Sequence, residues 1–327
     1  ASAWSYDAYG QYYYSTLYNS NSNYLNFQSI ANGMQVTGTR ANPVCVSGGA
    51  CVPYNIFTEG GVTEAQLNYL YTPGTAYGTV TQQIVHADVT GDLGEYGLTV
   101  PLAQEGISVN FGLERRTEDL TFDPDSAELS GLLAGFSGAS VPIDDGYSVE
   151  EAFGEIRIPL VQEVTGIYDL VIDAGYRYSD YSTSAGTTDA WKVQLQYAPI
   201  PDLRFRTSFQ HAIRAPNIIE LFSPLNYGQQ SFLGVDPCAP QDGEAATATL
   251  EECIRTGVTP AQYGDGLATN SIPQCVSNQC GQVIGGNTEL DSEQADTYSL
   301  GVTISPSALP ELTASVDYYR IELEDAL

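Results

Sequence analysis

Along much of this chain, apolar and polar side chains alternate residue by residue. In Trp191–Tyr197, the residues Trp191, Val193, Leu195 and Tyr197 fall on one face and Lys192, Gln194 and Gln196 on the other. Ser108–Arg116 sets Val109, Phe111 and Leu113 against Asn110, Glu114 and Arg116, and Leu203–Gln210 sets Leu203, Phe205 and Phe209 against Arg204, Arg206 and Gln210. A period of two means an extended strand whose faces meet different surroundings. The pattern continues in Trp4–Tyr14, Ile84–Leu93, Val149–Leu160, Tyr168–Tyr181, Thr297–Ile304 and Leu312–Leu323, so nine strands are expected. In the last of these, adjacent Tyr318 and Tyr319 interrupt the alternation and predict a bulge.

The connections between these strands are unequal. Pro101–Gly106, Val161–Gly166, Pro199–Asp202 and Pro306–Pro310 are short, whereas Asn19–Thr79, Asp119–Tyr147 and Ala215–Ser292 are long, and only Ser182–Gly186 breaks the alternation of short with long. Structureless connections of that length are uncommon inside compact soluble domains. Brief turns at one end and long loops at the other are the layout of an outer-membrane barrel. The expected fold is therefore all-β: a segment of a transmembrane antiparallel β-barrel, about nine strands of a wall of roughly 22, with short periplasmic turns and long extracellular loops. The Trp191, Val193, Leu195, Tyr197 row, with Val109, Phe111, Phe205 and Phe209, should face lipid. Lys192, Gln194, Gln196, Arg204 and Arg206 should face the lumen. Tyrosine clusters at strand ends (Tyr12 to Tyr14; Tyr176, Tyr178 and Tyr181; Tyr318 and Tyr319) read as an interfacial girdle, with cross-strand aromatic pairing as the other reading.

Composition narrows the partners. Acidic residues outnumber basic ones 40 to 11, for a formal charge of −29. With one lysine, Lys192, and ten arginines, no basic stripe exists to neutralise phosphates, so nucleic acid is not an expected partner. The 23 tyrosines, 10 phenylalanines and 2 tryptophans separate the chain from acidic disordered sequences. No apolar run approaches the length of a membrane-spanning helix. Much of the negative charge falls in Ala215–Ser292, where Glu220, Asp236, Asp242, Glu244, Glu251, Glu252, Asp265, Glu289 and Asp291 stand against Arg255 alone.

Four stretches carry a resemblance. Arg214-Ala215-Pro216-Asn217, followed by Glu220-Leu221-Phe222, directly succeeds a strand; Gly285–Glu293 reads GGNTELDSE; Cys51–Phe57 reads CVPYNIF; and Gly154–Leu160 precedes the Tyr176–Tyr181 and Trp191-Lys192 elements. In order and spacing these resemble the barrel region of TonB-dependent outer-membrane receptors, in particular a proteobacterial branch with cysteine-bearing extracellular loops. The second stretch departs from that pattern at Thr288 and Ser292, where prolines are usual, and the third at Tyr54 and Thr58. The resemblance implies a bacterial outer-membrane receptor that binds a ferric siderophore, cobalamin, haem or an oligosaccharide at its loops. It would import the ligand with energy passed on by TonB, with outer-membrane lipid and the TonB complex as partners and no cofactor. A passive porin or adhesin barrel is the alternative. Residues 1–327 are expected to lie in one barrel domain, with the plug domain, the TonB box and the first and last barrel strands outside this sequence. Ligand-contacting residues differ between family members, so none is assigned. Arg214 either contacts a ligand or, with Asn217, ties down the base of a loop, and the second reading is favoured.

No catalytic constellation emerges. His86 and His211 lie in separate strand patterns without a nearby nucleophile motif, so an enzyme is not expected. Asp123-Pro124-Asp125 and Asp144-Asp145-Gly146 lack the spacing of a calcium loop, and no metal site is expected. Six cysteines, without zinc-type spacing or histidine partners, suit an oxidising compartment. Because closing a loop becomes harder as it lengthens, local pairs are expected: Cys45–Cys51, Cys238–Cys253 and Cys275–Cys280. A nested Cys238–Cys280 and Cys253–Cys275 arrangement remains open.

Overall fold

The computed structural model describes residues 3–135, 138–231, 236–240, 245–263, 272, 274 and 279–326. Nine long strands dominate among them: β1 (Trp4–Asn26), β2 (Tyr71–Asp92), β3 (Ser108–Pro124), β4 (Ile143–Val164), β5 (Ile167–Tyr181), β6 (Thr187–Ile200), β7 (Leu203–Arg214), β8 (Glu293–Ile304) and β9 (Ala314–Glu324). Each pairs antiparallel with its neighbours in the chain, giving one continuous meander. A two-residue strand, Leu133–Ala134, adds to the outer edge of β1 at Leu25 and Asn26.

The strands outrun the alternation that reveals them. β1, β2 and β4 have 23, 22 and 22 residues, against about 9–11 needed to cross a bilayer. The long connections shrink accordingly to 27–70 and 125–142, while 215–292 stays as expected. The extensions are rich in Tyr, Thr and Asn and hold their ladder beyond the hydrophobic alternation. There, β propensity and pairing persist where no hydrophobic alternation is required.

The expected bulge at Tyr318 and Tyr319 is absent. β8 and β9 keep one register from Gln294↔Glu324 to Ile304↔Ala314, so Tyr318 and Tyr319 point to opposite faces. Two adjacent tyrosines interrupt the chemistry of the alternation without adding a residue to it. Register shifts occur instead between Asn21 and Tyr24, where Asn23 has φ 70°, between Pro159 and Val161, and between Leu203 and Phe205. Pro159 has no N–H to give to the ladder, which accounts for the second.

Register sorts side chains into two faces. Val109↔Ile156, Ile172↔Leu195, Val193↔Phe209 and Phe205↔Val302 belong to one; Asn110↔Glu155, Asp173↔Gln194 and Lys192↔Gln210 belong to the other. The apolar face is uncovered: Val85, Phe111, Leu113 and Leu300 are 66, 55, 65 and 59% exposed. A soluble sandwich would bury that face under a second sheet. The well-buried apolar side chains include Leu70 and Leu133, beneath the long connections.

Candidate functional site

The polar face is the concave one. A hollow of about 340 Å³ is lined by Thr90 on β2, Asn110 on β3, Arg157 on β4, Asp173 on β5 and Gln194 on β6. An adjoining hollow of about 420 Å³ shares Asn110, Glu155 and Lys192 and adds Phe153, Arg177 and Gln210. A depression that spans five strands requires a sheet that curves around it.

The lysine and arginine side chains of this face meet carboxylates. Arg157 meets Asp173 at 3.0 Å, Arg177 meets Glu151 at 2.9 Å, Lys192 meets Glu155 at 2.9 Å and Arg204 meets Asp169 at 3.2 Å. Arg206 reaches across β8 to Asp317, with Nε and the terminal nitrogen 2.8 and 2.6 Å from its two carboxylate oxygens. The Lys192–Glu155 pair spans the strand between them over Gly175, where a Cβ would lie 3.1 Å from the lysine Cε. Both ring nitrogens of His86 meet carboxylates, Glu114 at 2.9 Å and Asp88 at 3.1 Å, and its ring lies between Tyr9 and Phe153. His211 belongs to the opposite face and bonds Asp296 at 2.7 Å, so the two histidines share no site.

At the long-connection end, Arg214 closes β7 and gathers the start and return of the 215–292 loop. Its Nε donates to Glu293 on β8 at 2.6 Å and a terminal nitrogen reaches Glu220 at 3.1 Å. Asn217 caps the short helix Ile218–Phe222 by accepting from the N–H groups of Ile219 and Glu220, while Glu220 accepts from the Asn217 N–H at 2.8 Å. Ala215 and Pro216 join strand to cap, with Pro216 buried, and Leu221 packs beneath the helix at 2% exposure; Phe222 is half-buried at its end. The loop returns alongside this helix, the Asn287 N–H donating to the Glu220 carbonyl. Arg214 holds the Glu220 carboxyl below the usual carboxylate range, with the Asn217 N–H assisting, and the two glutamates raise the Arg214 guanidinium further. On β4 near the same end, burial and then the Glu118 charge push Tyr147 up to about 12.

Disulfides join Cys45 to Cys51 and Cys238 to Cys253. Cys275 and the Cys280 side chain lie outside the described residues, as do Asp242, Glu244 and Asp265. Asp125 caps the helix Ser126–Leu129 and accepts from the Thr75 hydroxyl, so it is engaged in loop structure.

The family model described as TonB dependent receptor-like, beta-barrel matches residues 1–327. The chain belongs to that family. Members of the TonB-dependent receptor family lie in the bacterial outer membrane and act as transport receptors. Among solved structures, a variant of the ferric enterobactin receptor PfeA from Pseudomonas aeruginosa has 14% identity and a TM-score of 0.47, over 78% of this chain and 31% of that one. The siderophore receptors PirA from P. aeruginosa and from Acinetobacter baumannii give 14 and 13% identity and TM-scores of 0.44 and 0.37. They cover 77 and 78% of this chain and 35% of each of those. The receptor barrel described here thus spans about a third of the length of these proteins. No curated protein matches its sequence. What a reading of the sequence misses in this barrel is the partner of each charge. The polar row Lys192, Gln194, Gln196 is visible as a pattern, but pairing it with Glu155 and Asp173 requires the register.

Proposed function

We propose that this chain forms part of the wall of an outer-membrane receptor for TonB-energised uptake of a scarce nutrient, a ferric siderophore, cobalamin, haem or an oligosaccharide. The observation that carries the reading is a single sheet with an uncovered apolar face, a charge-paired concave face, and connections that differ in length between its two ends. On β5 the apolar row runs from Leu170 to Tyr178, about 26 Å along the strand at roughly 3.3 Å per residue, close to the lipid-facing band of outer-membrane barrels. In this reading Val193, Leu195 and Phe111 face hydrocarbon, the Lys192 and Arg204 rows line the passage, and the disulfide-bonded connections stand outside the cell. TonB would act through a plug domain outside this chain. The test is uptake of radiolabelled nutrient by cells carrying the complete receptor, with and without TonB. Loss of uptake on deleting TonB is the expected result. Uptake that persists would identify a passive pore.

A further inference from the structure

We infer that an anionic, oxygen-rich solute travels along this wall by way of four cations filed over β5: Arg177, Lys192, Arg157 and Arg204. The inference rests on the transport reading above and narrows it.

The register brings these side chains from four strands into one line. Arg177 stands on β5 itself, Lys192 crosses Gly175 of β5 on its way to Glu155, Arg157 reaches from β4 to Asp173 of β5, and Arg204 reaches from β7 to Asp169 of β5. They fall at positions 177, 175, 173 and 169 of that strand, a file about 26 Å long at roughly 3.3 Å per residue. It runs from the long-connection end of the sheet to the short-turn end. Each neighbouring pair in the file borders a common hollow. Arg177 and Lys192 line the one of about 420 Å³, Lys192 and Arg157 the one of about 340 Å³, and Arg157 and Arg204 a third of about 360 Å³. A solute that leaves one cation therefore enters a space already bounded by the next.

Ion pairing positions these cations without exhausting them. Arg157, Arg177 and Arg204 each give their carboxylate one terminal nitrogen, so Nε and the other terminal nitrogen keep donors for a solute oxygen. The carboxylates also sit further back. Glu151, Asp169 and Asp173 are 7, 13 and 25% exposed, against 41, 42 and 41% for Arg177, Arg204 and Arg157. Only Glu155 stands as far out as its partner Lys192. The hollows are thus met by N–H donors on positive groups, with most of the negative groups behind them. Carboxylate, phosphate or catecholate oxygens, which only accept, fit such a surface best. The carboxylate behind each cation offsets part of its charge, so an anion is held weakly enough to move on, as conduction through successive sites requires. The formal charge of −29 acts at a distance and is screened beyond roughly 8 Å at physiological ionic strength, whereas these donors act at contact.

The test uses the complete receptor, in detergent for calorimetric binding and in cells for uptake. The anionic probes are a ferric tris-catecholate and ferric citrate, and the neutral ones are a ferric trihydroxamate and a glucose-based hexasaccharide. An anionic probe is expected to bind, and Arg177→Gln with Lys192→Gln, at the outer end of the file, should weaken its binding about tenfold. Glu155→Gln removes the exposed competitor for Lys192 and should strengthen it about threefold. Arg157→Gln with Arg204→Gln should slow entry of the bound probe about tenfold. A fall in binding or entry confined to anionic probes supports the inference. Failure of both anionic probes to bind overturns it, whatever the neutral probes do. So does an anionic probe whose binding and entry are unchanged in both double variants; a lowered unfolding midpoint beside that result would assign the cations to holding the receptor together. An equal loss for neutral and anionic probes overturns it as well, because it reports altered shape and not lost charge. TonB dependence is measured separately. Anion entry that needs these cations but not TonB refutes energised uptake and upholds this inference, and TonB-dependent entry indifferent to the substitutions does the reverse.

Discussion

The assignment of faces is most directly tested by placing the same arginine on adjacent residues of β6. Val193 pairs with Ala174 and Phe209 on the apolar face, so an arginine there has no carboxylate opposite it on either neighbouring strand. If that face meets lipid near the middle of the band, Val193→Arg should cost about 2–4 kcal/mol, roughly a thirty- to several-hundred-fold loss in the folding equilibrium. Gln194 pairs with Asp173 and Ser208. An arginine there stands beside a carboxylate at the edge of a wet hollow, and Gln194→Arg should change stability by about 1 kcal/mol or less. The assay is urea unfolding of the complete receptor refolded into lipid vesicles, followed by tryptophan fluorescence. Equal effects at the two positions, or a larger loss at Gln194, would refute the assignment, because a wet surface tolerates either substitution and a reversed sheet inverts their order.

Other outcomes follow from the same geometry. Gly112→Val should destabilise the wall by about 1–3 kcal/mol, seen as a lower unfolding midpoint, since the Phe153 ring lies over the position a Cβ would occupy. Arg214→Ala should hasten proteolytic nicking within 215–292 and leave the midpoint of the sheet in place, because the residue ties Glu220 and Glu293 together at the loop base. Since Arg214 depresses the Glu220 carboxyl, that tie contributes fully above the ordinary carboxylate pKa and is lost as pH falls through the lowered value. As pH falls through that lowered value, the unaltered loop should approach the ease of nicking that the Arg214→Ala loop shows at neutral pH. Reducing Cys238–Cys253, which closes 15 residues, should release about 3 kcal/mol of loop closure and open that segment to protease without unfolding the strands.

Sequence and structure agree best where two environments press on one strand. Trp191–Tyr197 alternates because one row is uncovered on the apolar face and the other lines a hollow, so a slip of one residue would exchange the two and the pattern is unambiguous. Ser15 to Tyr24 and Thr72 to Thr81 lack that pressure. They pair along β1 and β2 regardless, and the strands look shorter in the sequence than they are. Local signals for the loop helices are nonetheless present: Thr63 with Gln66 and Thr249 with Glu252 form capping boxes at the starts of Glu64–Leu70 and Leu250–Ile254, a spacing that the amino-acid order alone displays.

The charge pairs of the concave face are illegible for a different reason. Glu155 and Lys192 are 37 positions apart, and their contact depends on two registers at once, Glu155↔Gly175 and Gly175↔Lys192. An error of two residues in either ladder would preserve every hydrophobic row yet pair Lys192 across from a different residue. Alternation fixes the face of each side chain, and only the ladder fixes its partner. Because Gly175 leaves room for the two chains to meet across it, a glycine between opposite charges of the outer strands is the trace such a pair leaves.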